Sequence, residues 1–213
     1  MEIILDPIEV RVLGSLIEKE LATPEYYPLT LNALTNACNQ KSNRDPVVAY
    51  DDSDVASALD RLMEKKLVWE SNVSRAPKFE ERLTHERSLV PRESSALCVL
   101  LLRGPQTIGE IRGRTTRMYD FTDLEEVQAT LDNLAEWGFV RRLPRIPGHK
   151  ESRYGHLLGA EEEAPETRVM PETNTQKPMD DARIEKIEQT LERLQKEIED
   201  LKTTFQTFRE QFD

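Results

Sequence analysis

The stretch VASALDRLMEKKLV, residues 55–68, returns as VQATLDNLAEWGFV at residues 127–140. Val, Leu, Asp, Leu, Glu and Val coincide at a constant offset of 72 residues. The apolar residues of this stretch recur at intervals of three and four, the period of a helix with one buried face. In the second copy that face would consist of Leu124, Val127, Leu131, Leu134 and Trp137. Two copies of one supersecondary unit are therefore predicted.

The repeat extends upstream of this helix. PIEVRVLGSLIEK, which begins at Pro7, aligns with PRESSALCVLLLR, which begins at Pro91, and each predicts a first helix with a proline and an acidic residue at its start. The turn signals TPEYYPLT and RGPQT then lead into second helices, LNALTNACN and IGEIRGR. Third helices are predicted from Ser53 to about Lys66 and from Asp123 to about Trp137.

Two strand-like runs follow each third helix. They are LVWESNV and KFEERLT in the first copy, and FVRRLP and SRYGHLL in the second, each pair joined by a turn-rich loop. Three helices followed by a two-stranded hairpin form a winged helix, a helix-turn-helix unit whose sheet packs on the helices. The predicted fold class is mainly α with small β-hairpins (α+β), as two tandem winged-helix domains at residues 1–84 and 85–158.

The remainder of the chain has a different composition. Residues 159–180 are rich in Pro, Glu and Thr and nearly free of apolar residues, which predicts a disordered acidic linker. Residues 181–213 carry an a/d heptad pattern that predicts a coiled-coil helix. Its seam would be Ile184, Ile187, Leu191, Leu194, Ile198, Leu201, Phe205, Phe208 and Phe212. The attractive flanking pairs Arg183–Glu188 and Glu197–Lys202 favour a parallel homodimer. A helix folded back on its own domains, a higher oligomer or a foreign partner are the alternatives.

Three ordered motifs resemble the YceH-like family of small bacterial proteins. They are TPEYYPLTLNALTNACNQKSNRDPV (23–47), LLLRGPQTIGEIRGRTTRMYDFTD (100–123) and PGHKESRYGHLL (147–158). The likeness extends over residues 1 to about 158. It implies a tandem winged-helix fold, and it implies no reaction because that family is uncharacterised.

Residues suited to catalysis do not form a recognisable set. We find no glycine-rich phosphate loop and no His and carboxylate set with metal-ligand spacing, so we expect a protein that is not an enzyme and needs neither metal nor cofactor. Cys38 and Cys98 lie on apolar helix faces and are expected to be buried thiols. The chain has no apolar run long enough for a membrane span and MEIILDPIEV has no basic segment, so we expect no membrane partner and a cytoplasmic location.

The net charge of −11 is unevenly distributed, and its distribution bears on the partner. In a DNA-reading winged helix the third helix enters the major groove. The third helix of the second copy carries no Lys or Arg, so it should repel phosphate. We take its carboxylates as candidates for docking a partner protein: Glu125, Glu126, Asp132 and Glu136.

The cations lie on either side of this helix, in the turn before it and in the following hairpin, with two more in the matching turn of the first copy. Both places can lie on the phosphate side of such a module. The candidates for nucleic-acid contact are Lys41, Arg44, Arg112, Arg114, Arg117, Arg141, Arg142, Arg145, Lys150 and Arg153. Pairing with the acidic helices would be a simpler role for several of them. Nearby, Asn39, Gln40 and Asn43 could read base edges, and we favour a role in tying down their loop.

The leading hypothesis is a DNA-associated or regulatory protein that contacts duplex DNA through these turns and the wing. The alternative is a protein-interaction scaffold whose acidic third helices dock a partner. Charge placement motivates both hypotheses, and the same placement separates them.

Overall fold

In a computed structural model of the chain, which describes residues 3–71, 76–145 and 151–159, the two copies have matching orders of elements. The first copy contains α1 (Pro7–Ala22), β1 (Leu29–Thr30), α2 (Leu31–Cys38), α3 (Asp52–Glu64), β2 (Val68–Ser71) and β3 (Lys78–Glu81). The short helix α4 (Leu83–Glu86) follows. The second copy contains α5 (Pro91–Arg103), α6 (Ile108–Thr115), α7 (Leu124–Glu136), β4 (Val140–Arg142) and β5 (Tyr154–His156). The described residues thus form an α+β fold with seven α-helices.

Side-chain caps determine where several helices begin. The Asp6 carboxylate accepts hydrogen bonds from the N–H groups of Ile8 and Glu9, and the Glu9 carboxylate accepts one from the N–H of Asp6. Thr107 and Glu110 form the same reciprocal box at the start of α6. Such boxes satisfy N–H groups that have no partner within the helix, which explains why these helices start at the predicted positions.

The sheets are small and antiparallel. In the first copy the strand order is β1-β3-β2, with Leu29 opposite Phe79. In the second copy β4 pairs with β5, and an isolated bridge joins Gln106 to Tyr154. This bridge occupies the place that the β1–β3 pair has in the first copy. The predicted two-stranded hairpins are therefore present, and the first one has an additional short strand that the sequence did not predict.

Helices α1 and α5 pack closely against each other at the centre of the described fold. A Cβ added to Gly14 of α1 would lie 3.0 Å from Cβ of Leu101 and 3.0 Å from Cδ2 of Leu102 on α5. The Cys98 thiol donates a hydrogen bond to the carbonyl of Gly14 at 3.4 Å. Because the first helix of each copy contributes to this contact, both copies share one apolar core. The division at residues 84 and 158 stays a prediction.

The buried stripe of α7 is shorter than the sequence predicted. Val127, Leu131 and Leu134 are fully buried, whereas Leu124 is 43% exposed and Trp137 is 50% exposed. The prediction was wrong at both ends because Leu124 begins the helix and Trp137 caps it, beyond the neighbouring core. The cysteine prediction is confirmed, since Cys38 and Cys98 are both buried and unpaired. Burial raises the pKa of both thiols.

Several predictions concern residues outside the described ranges. These are the linker from residue 160 onward, the coiled-coil seam from Ile184 to Phe212, and Lys150 of the wing. Among the described helices, none has the length and apolar character that a membrane crossing requires.

Candidate anion-binding cleft

A cleft of about 530 Å³ opens beside the C-terminal end of α1. Its other walls are the loop after α2, the end of α5, and the end of α6 with the residues that follow it. Five cationic side chains line this cleft: Lys19, Lys41, Arg103, Arg114 and Arg117. Three of them were predicted as phosphate contacts, and the fold brings these three together from separate parts of the chain.

The only carboxylate among the described lining residues, that of Glu18, is already paired. Arg44 is 4% exposed, and its guanidinium donates to the two carboxylate oxygens of Glu18 at 3.0 and 2.5 Å. It also donates to the carbonyl of Ala37 at 2.9 Å. Arg44 therefore neutralises Glu18 and holds the loop in place. Its predicted role as a surface contact for nucleic acid does not fit this geometry, because a buried guanidinium cannot reach a phosphate.

The loop between α2 and α3 is fixed by further polar contacts. Asn39 donates to the carbonyl of Tyr50 at 2.7 Å and accepts from the N–H of Tyr50 at 2.8 Å. Arg11 donates to the carbonyl of Cys38 at 3.2 Å and to that of Pro46 at 2.8 Å. Asn39 therefore has the loop-tying role that we favoured for it. The result is a firmly held loop that leaves Lys41 exposed at the mouth of the cleft.

The five cations differ in how far their charge is already matched. Lys19 lies 3.8 Å from the Glu18 carboxylate, and Arg114 lies 3.6 Å from Glu110. Burial, followed by the neighbouring charge of Arg114, lowers the pKa of Arg103. Lys41 and Arg117 are exposed and have no ion-pair partner among the described residues. The mouth of the cleft therefore carries uncompensated positive charge in a chain whose net charge is −11.

The helix C-terminal ends beside the cleft carry negative partial charge, which opposes the binding of an anion. The C-terminal ends of α1, α2, α5 and α6 border the cleft, and each carries a partial charge of about −0.5. Cations in last turns commonly offset such ends, for roughly 0.3–1 kcal/mol each. Together the four ends amount to about −2. The three lining cations that have no ion-pair partner among the described residues, Lys41, Arg103 and Arg117, still exceed that charge. A net attraction for anions remains.

The other predicted cations do not converge on the cleft. Arg112 donates to the carbonyl oxygens of Phe121 at 3.2 Å and Thr122 at 2.8 Å, and so it holds the loop before α7. Arg153 donates to the carbonyl of Pro105 at 2.8 Å and pairs with Glu110 at 3.3 Å. On the wing, Arg141 is half-buried, Arg142 is exposed, and Arg145 donates to the hydroxyl of Ser152 at 3.4 Å.

The acidic candidates on α7 fall into two groups. Glu126 accepts from the hydroxyl of Tyr119 at 2.6 Å and from the N–H of Thr122 at 2.9 Å, and the Tyr119 hydrogen bond lowers its pKa. Glu126 is therefore occupied in holding the start of the helix. Exposed carboxylates remain on the outward face: Glu125, Asp132 and Glu136.

Helix α3 has the same acidic outward character. Its cation Arg61 binds Asp6 at 2.8 Å, and Lys65, which caps the helix, binds Glu9 at 2.7 Å. These two cations are therefore paired with the start of α1, whereas Lys66, two residues beyond the end of α3, is exposed. Neither third helix presents free cations to a DNA groove within the described structure.

Lys19 and Arg103 were missed at the sequence level. Each is a basic residue in the last turn of its helix, which is an ordinary place for a cation. Their shared position depends on the packing of α1 against α5, and no short-range pattern reports that packing. Their position in the last turn of a helix was the one sequence feature that could have indicated these two residues.

Comparison with known proteins gives one family and several full-length relatives. The family model described as "Protein of unknown function, DUF480" matches residues 5–149. A UPF0502 protein of Solibacter usitatus is 48% identical over 210 residues, 98% of each chain. One from Pelobacter propionicus is 46% identical over the whole of both chains, and one from Geobacter sulfurreducens is 54% identical over 80% of each. The family match includes all five cations of the cleft.

Proposed function

The chain belongs to the DUF480 family of bacterial proteins, and from that premise we propose that it is a non-enzymatic tandem winged-helix protein that binds duplex DNA through phosphate contacts. The proposal also includes membership of the YceH-like family, which the three motifs resemble, and a regulatory or DNA-associated role in the cytoplasm.

The repeated order of elements supports the winged-helix assignment. Each copy has three helices followed by an antiparallel hairpin, with a strand or bridge between the first and second helices that pairs with the last strand. That order is the one expected of a helix-turn-helix unit with a wing.

One observation carries the DNA proposal, and it is the convergence of cations from both copies on one cleft. Lys and Arg supply most phosphate contacts, and phosphate contacts dominate affinity for DNA. The outward faces of α3 and α7 are acidic, so base reading by a third helix is not part of the proposal. The cleft would accept a backbone phosphate, and the exposed Arg142 of the wing would add a separate contact.

A salt titration with duplex DNA tests this proposal. Fluorescence anisotropy with pooled genomic duplexes should show binding that weakens steeply as salt rises. The double variant Lys41→Ala with Arg117→Ala should bind about tenfold more weakly for all sequences. Its salt slope should be smaller by about two, one for each lost phosphate contact.

The matched control is Arg87→Ala with Arg92→Ala. These exposed residues lie outside the cleft, and Arg92 is at the opposite end of α5, roughly 16 Å from Arg103 along the helix. The control changes the net charge by the same amount, so it should keep the wild-type slope. An equal loss of DNA affinity in both double variants would mean that binding depends on net charge and not on the cleft. Undetectable binding at low salt would eliminate DNA as the ligand.

A second candidate function is a scaffold that docks a basic partner protein on α7. The observation in its favour is that Leu124 and Trp137 remain exposed beside Glu125 and Glu136, because aromatic residues are enriched where proteins bind one another. If DNA binding is absent, photo-crosslinking from position 137 in cells should give a discrete adduct that Glu125→Lys with Glu136→Lys abolishes. A lack of any adduct would remove this candidate.

A further inference from the structure

Three potential metal ligands meet away from the cleft. Glu20 lies near the end of α1, Glu81 ends β3, and His85 lies on α4. One ligand atom from each of the three lies within 4.8 Å of the others. His85 Nε2 is 2.7 Å from Oε1 of Glu20 and 3.8 Å from Oε1 of Glu81. Glu81 and His85 are four residues apart, and packing adds Glu20 from a remote part of the chain.

Glu81 is the fixed member of this group. It is 1% exposed, and Thr84 donates its N–H to Oε2 at 3.0 Å and its hydroxyl to Oε1. The N–H of Glu81 itself donates to the hydroxyl of Tyr27 at 2.6 Å. The carboxylate is therefore held in one orientation by uncharged donors. A buried carboxylate held in this way is stabilised by a nearby cation.

The exposed ring of His85 does not fully provide that cation. Its Nε2 atom faces two carboxylates and is within hydrogen-bond distance of only one of them, Glu20. A weak surface pair between His85 and Glu20 would explain that single contact. It would leave the Glu81 carboxylate 3.8 Å from His85 Nε2, close enough for an ion pair but beyond hydrogen-bond distance. A divalent ion bound to neutral imidazole would instead balance two carboxylates.

We propose that Glu20, Glu81 and His85 form a binding site for a divalent transition-metal ion of the Zn²⁺ class. Imidazole nitrogen with carboxylate oxygen suits Zn²⁺ and its first-row neighbours, whereas Mg²⁺ and Ca²⁺ prefer oxygen ligands alone. The ion would join the end of α1 to α4, the short helix between the two copies. This inference is independent of the proposed function.

The geometry needs only small adjustments. Zn²⁺ bonds of about 2.0–2.2 Å in a tetrahedral arrangement separate the ligand atoms by about 3.4 Å. The atoms here lie between 2.7 and 4.8 Å apart, so shifts of about an ångström suffice. The His85 side chain is 55% exposed and can make such a shift while Glu81 stays in place. The same exposure leaves the fourth position open to water.

Calorimetry of the full chain with Zn²⁺, together with the visible absorption spectrum of the Co²⁺-loaded chain, tests the site. We expect one tight ion per chain, a cobalt spectrum with a nitrogen ligand, and a rise in melting temperature with Zn²⁺. His85→Ala and Glu20→Gln should each weaken Zn²⁺ binding at least about tenfold and remove most of the melting-temperature rise.

Two controls separate this site from weak binding elsewhere on an acidic chain. His149→Ala removes a histidine that is not one of the three proposed ligands, and Glu86→Gln removes a neighbouring carboxylate on α4. Both should keep wild-type affinity and stoichiometry. If His85→Ala binds Zn²⁺ as the unmodified chain does, or if the unmodified chain shows no tight site, the proposal is overturned. The cobalt spectrum of the unmodified chain decides the matter even if a variant fails to fold.

Discussion

Lys41 and Arg44 lie three residues apart in one polar loop, and the fold gives them opposite environments. Lys41 is exposed at the cleft, whereas Arg44 is buried against Glu18. The sequence could predict that this loop is basic. It could not predict which cation turns inward, because the partner carboxylate comes from a helix 26 residues earlier in the chain.

Removing the buried arginine should destabilise the protein strongly. Arg44→Ala would leave the mostly buried carboxylate of Glu18 with only Lys19, 3.8 Å away, as a counter-charge. Breaking a buried pair in this way typically costs about 3–5 kcal/mol of unfolding free energy. Urea denaturation measures this change. Lys41→Ala is the control, and it should alter stability by about 0.5 kcal/mol or less. A small effect of Arg44→Ala would mean that the loop can reorganise around Glu18.

His156 gives the protein a pH dependence of known sign. Burial lowers the pKa of His156 to about 4, and its Nδ1 atom has no hydrogen-bond partner among the described residues. Because the unfolded chain takes up the proton near pH 6.5, this contribution to stability is complete above that pH. It is lost as the pH falls from about 6.5 toward 4, by up to roughly 3 kcal/mol.

The variant His156→Phe should lack this acid-dependent loss. Unfolding free energies of the two chains, measured by urea denaturation between pH 7.5 and 4.5, should diverge as the pH falls, with the variant retaining more of its stability. Other titrating groups are common to both chains and cancel in the difference. Parallel curves would show that His156 is protonated in the folded protein as readily as in the unfolded one.

At the scale of elements, periodicity predicted all three helices of each copy, and caps kept their starts within one residue of expectation. The strand β1 was missed because two residues carry no alternation and its pairing with β3 spans about 50 residues. The exposed ends of α7 were missed for a related reason. The apolar period continues past the point where neighbouring elements stop covering the helix.

Because α1 packs closely against α5, replacing a glycine by alanine should change the stability of the protein in opposite directions in α1 and in α6. Alanine is favoured over glycine in a helix by about 1 kcal/mol. A Cβ at Gly14 would lie 3.0 Å from Cβ of Leu101, which belongs to a stiff part of α5, so Gly14→Ala should destabilise the protein by about 1–3 kcal/mol. Gly113 of α6 has open space around it, so Gly113→Ala should stabilise by about 0.5–1 kcal/mol.

Chemical denaturation of these two variants measures the cost of pressing the helices apart. The opposite signs are the expected result, since the change in chemistry is identical and only the surroundings differ. If both substitutions stabilise the protein, α1 and α5 can separate by a few tenths of an ångström at little cost. The close contact between α1 and α5 would then contribute little to the stability of the shared core.

At the scale of the whole molecule, the sequence supplied ten cations as candidates and the fold selects among them. Lys41, Arg114 and Arg117 meet Lys19 and Arg103 in the cleft, while Arg44, Arg112 and Arg153 hold the structure together. Composition and local pattern can place cations in turns. Deciding which of them stabilise the fold and which face a ligand requires contacts between distant segments, above all the packing of the two copies.

The predicted heptad seam of residues 181–213 bears on DNA binding, because a homodimer would carry two cationic clefts and so raise the apparent affinity for DNA without a new contact. Leu194→Lys with Leu201→Lys places charges in the predicted seam, so sedimentation equilibrium should report monomers where the unmodified chain forms dimers. Gln189→Lys with Thr203→Lys adds the same charge at outer heptad positions and should remain dimeric. DNA affinity should fall with the first variant alone. A monomeric unmodified chain would refute the dimer, and dimers that survive the seam variant would assign self-association to another surface.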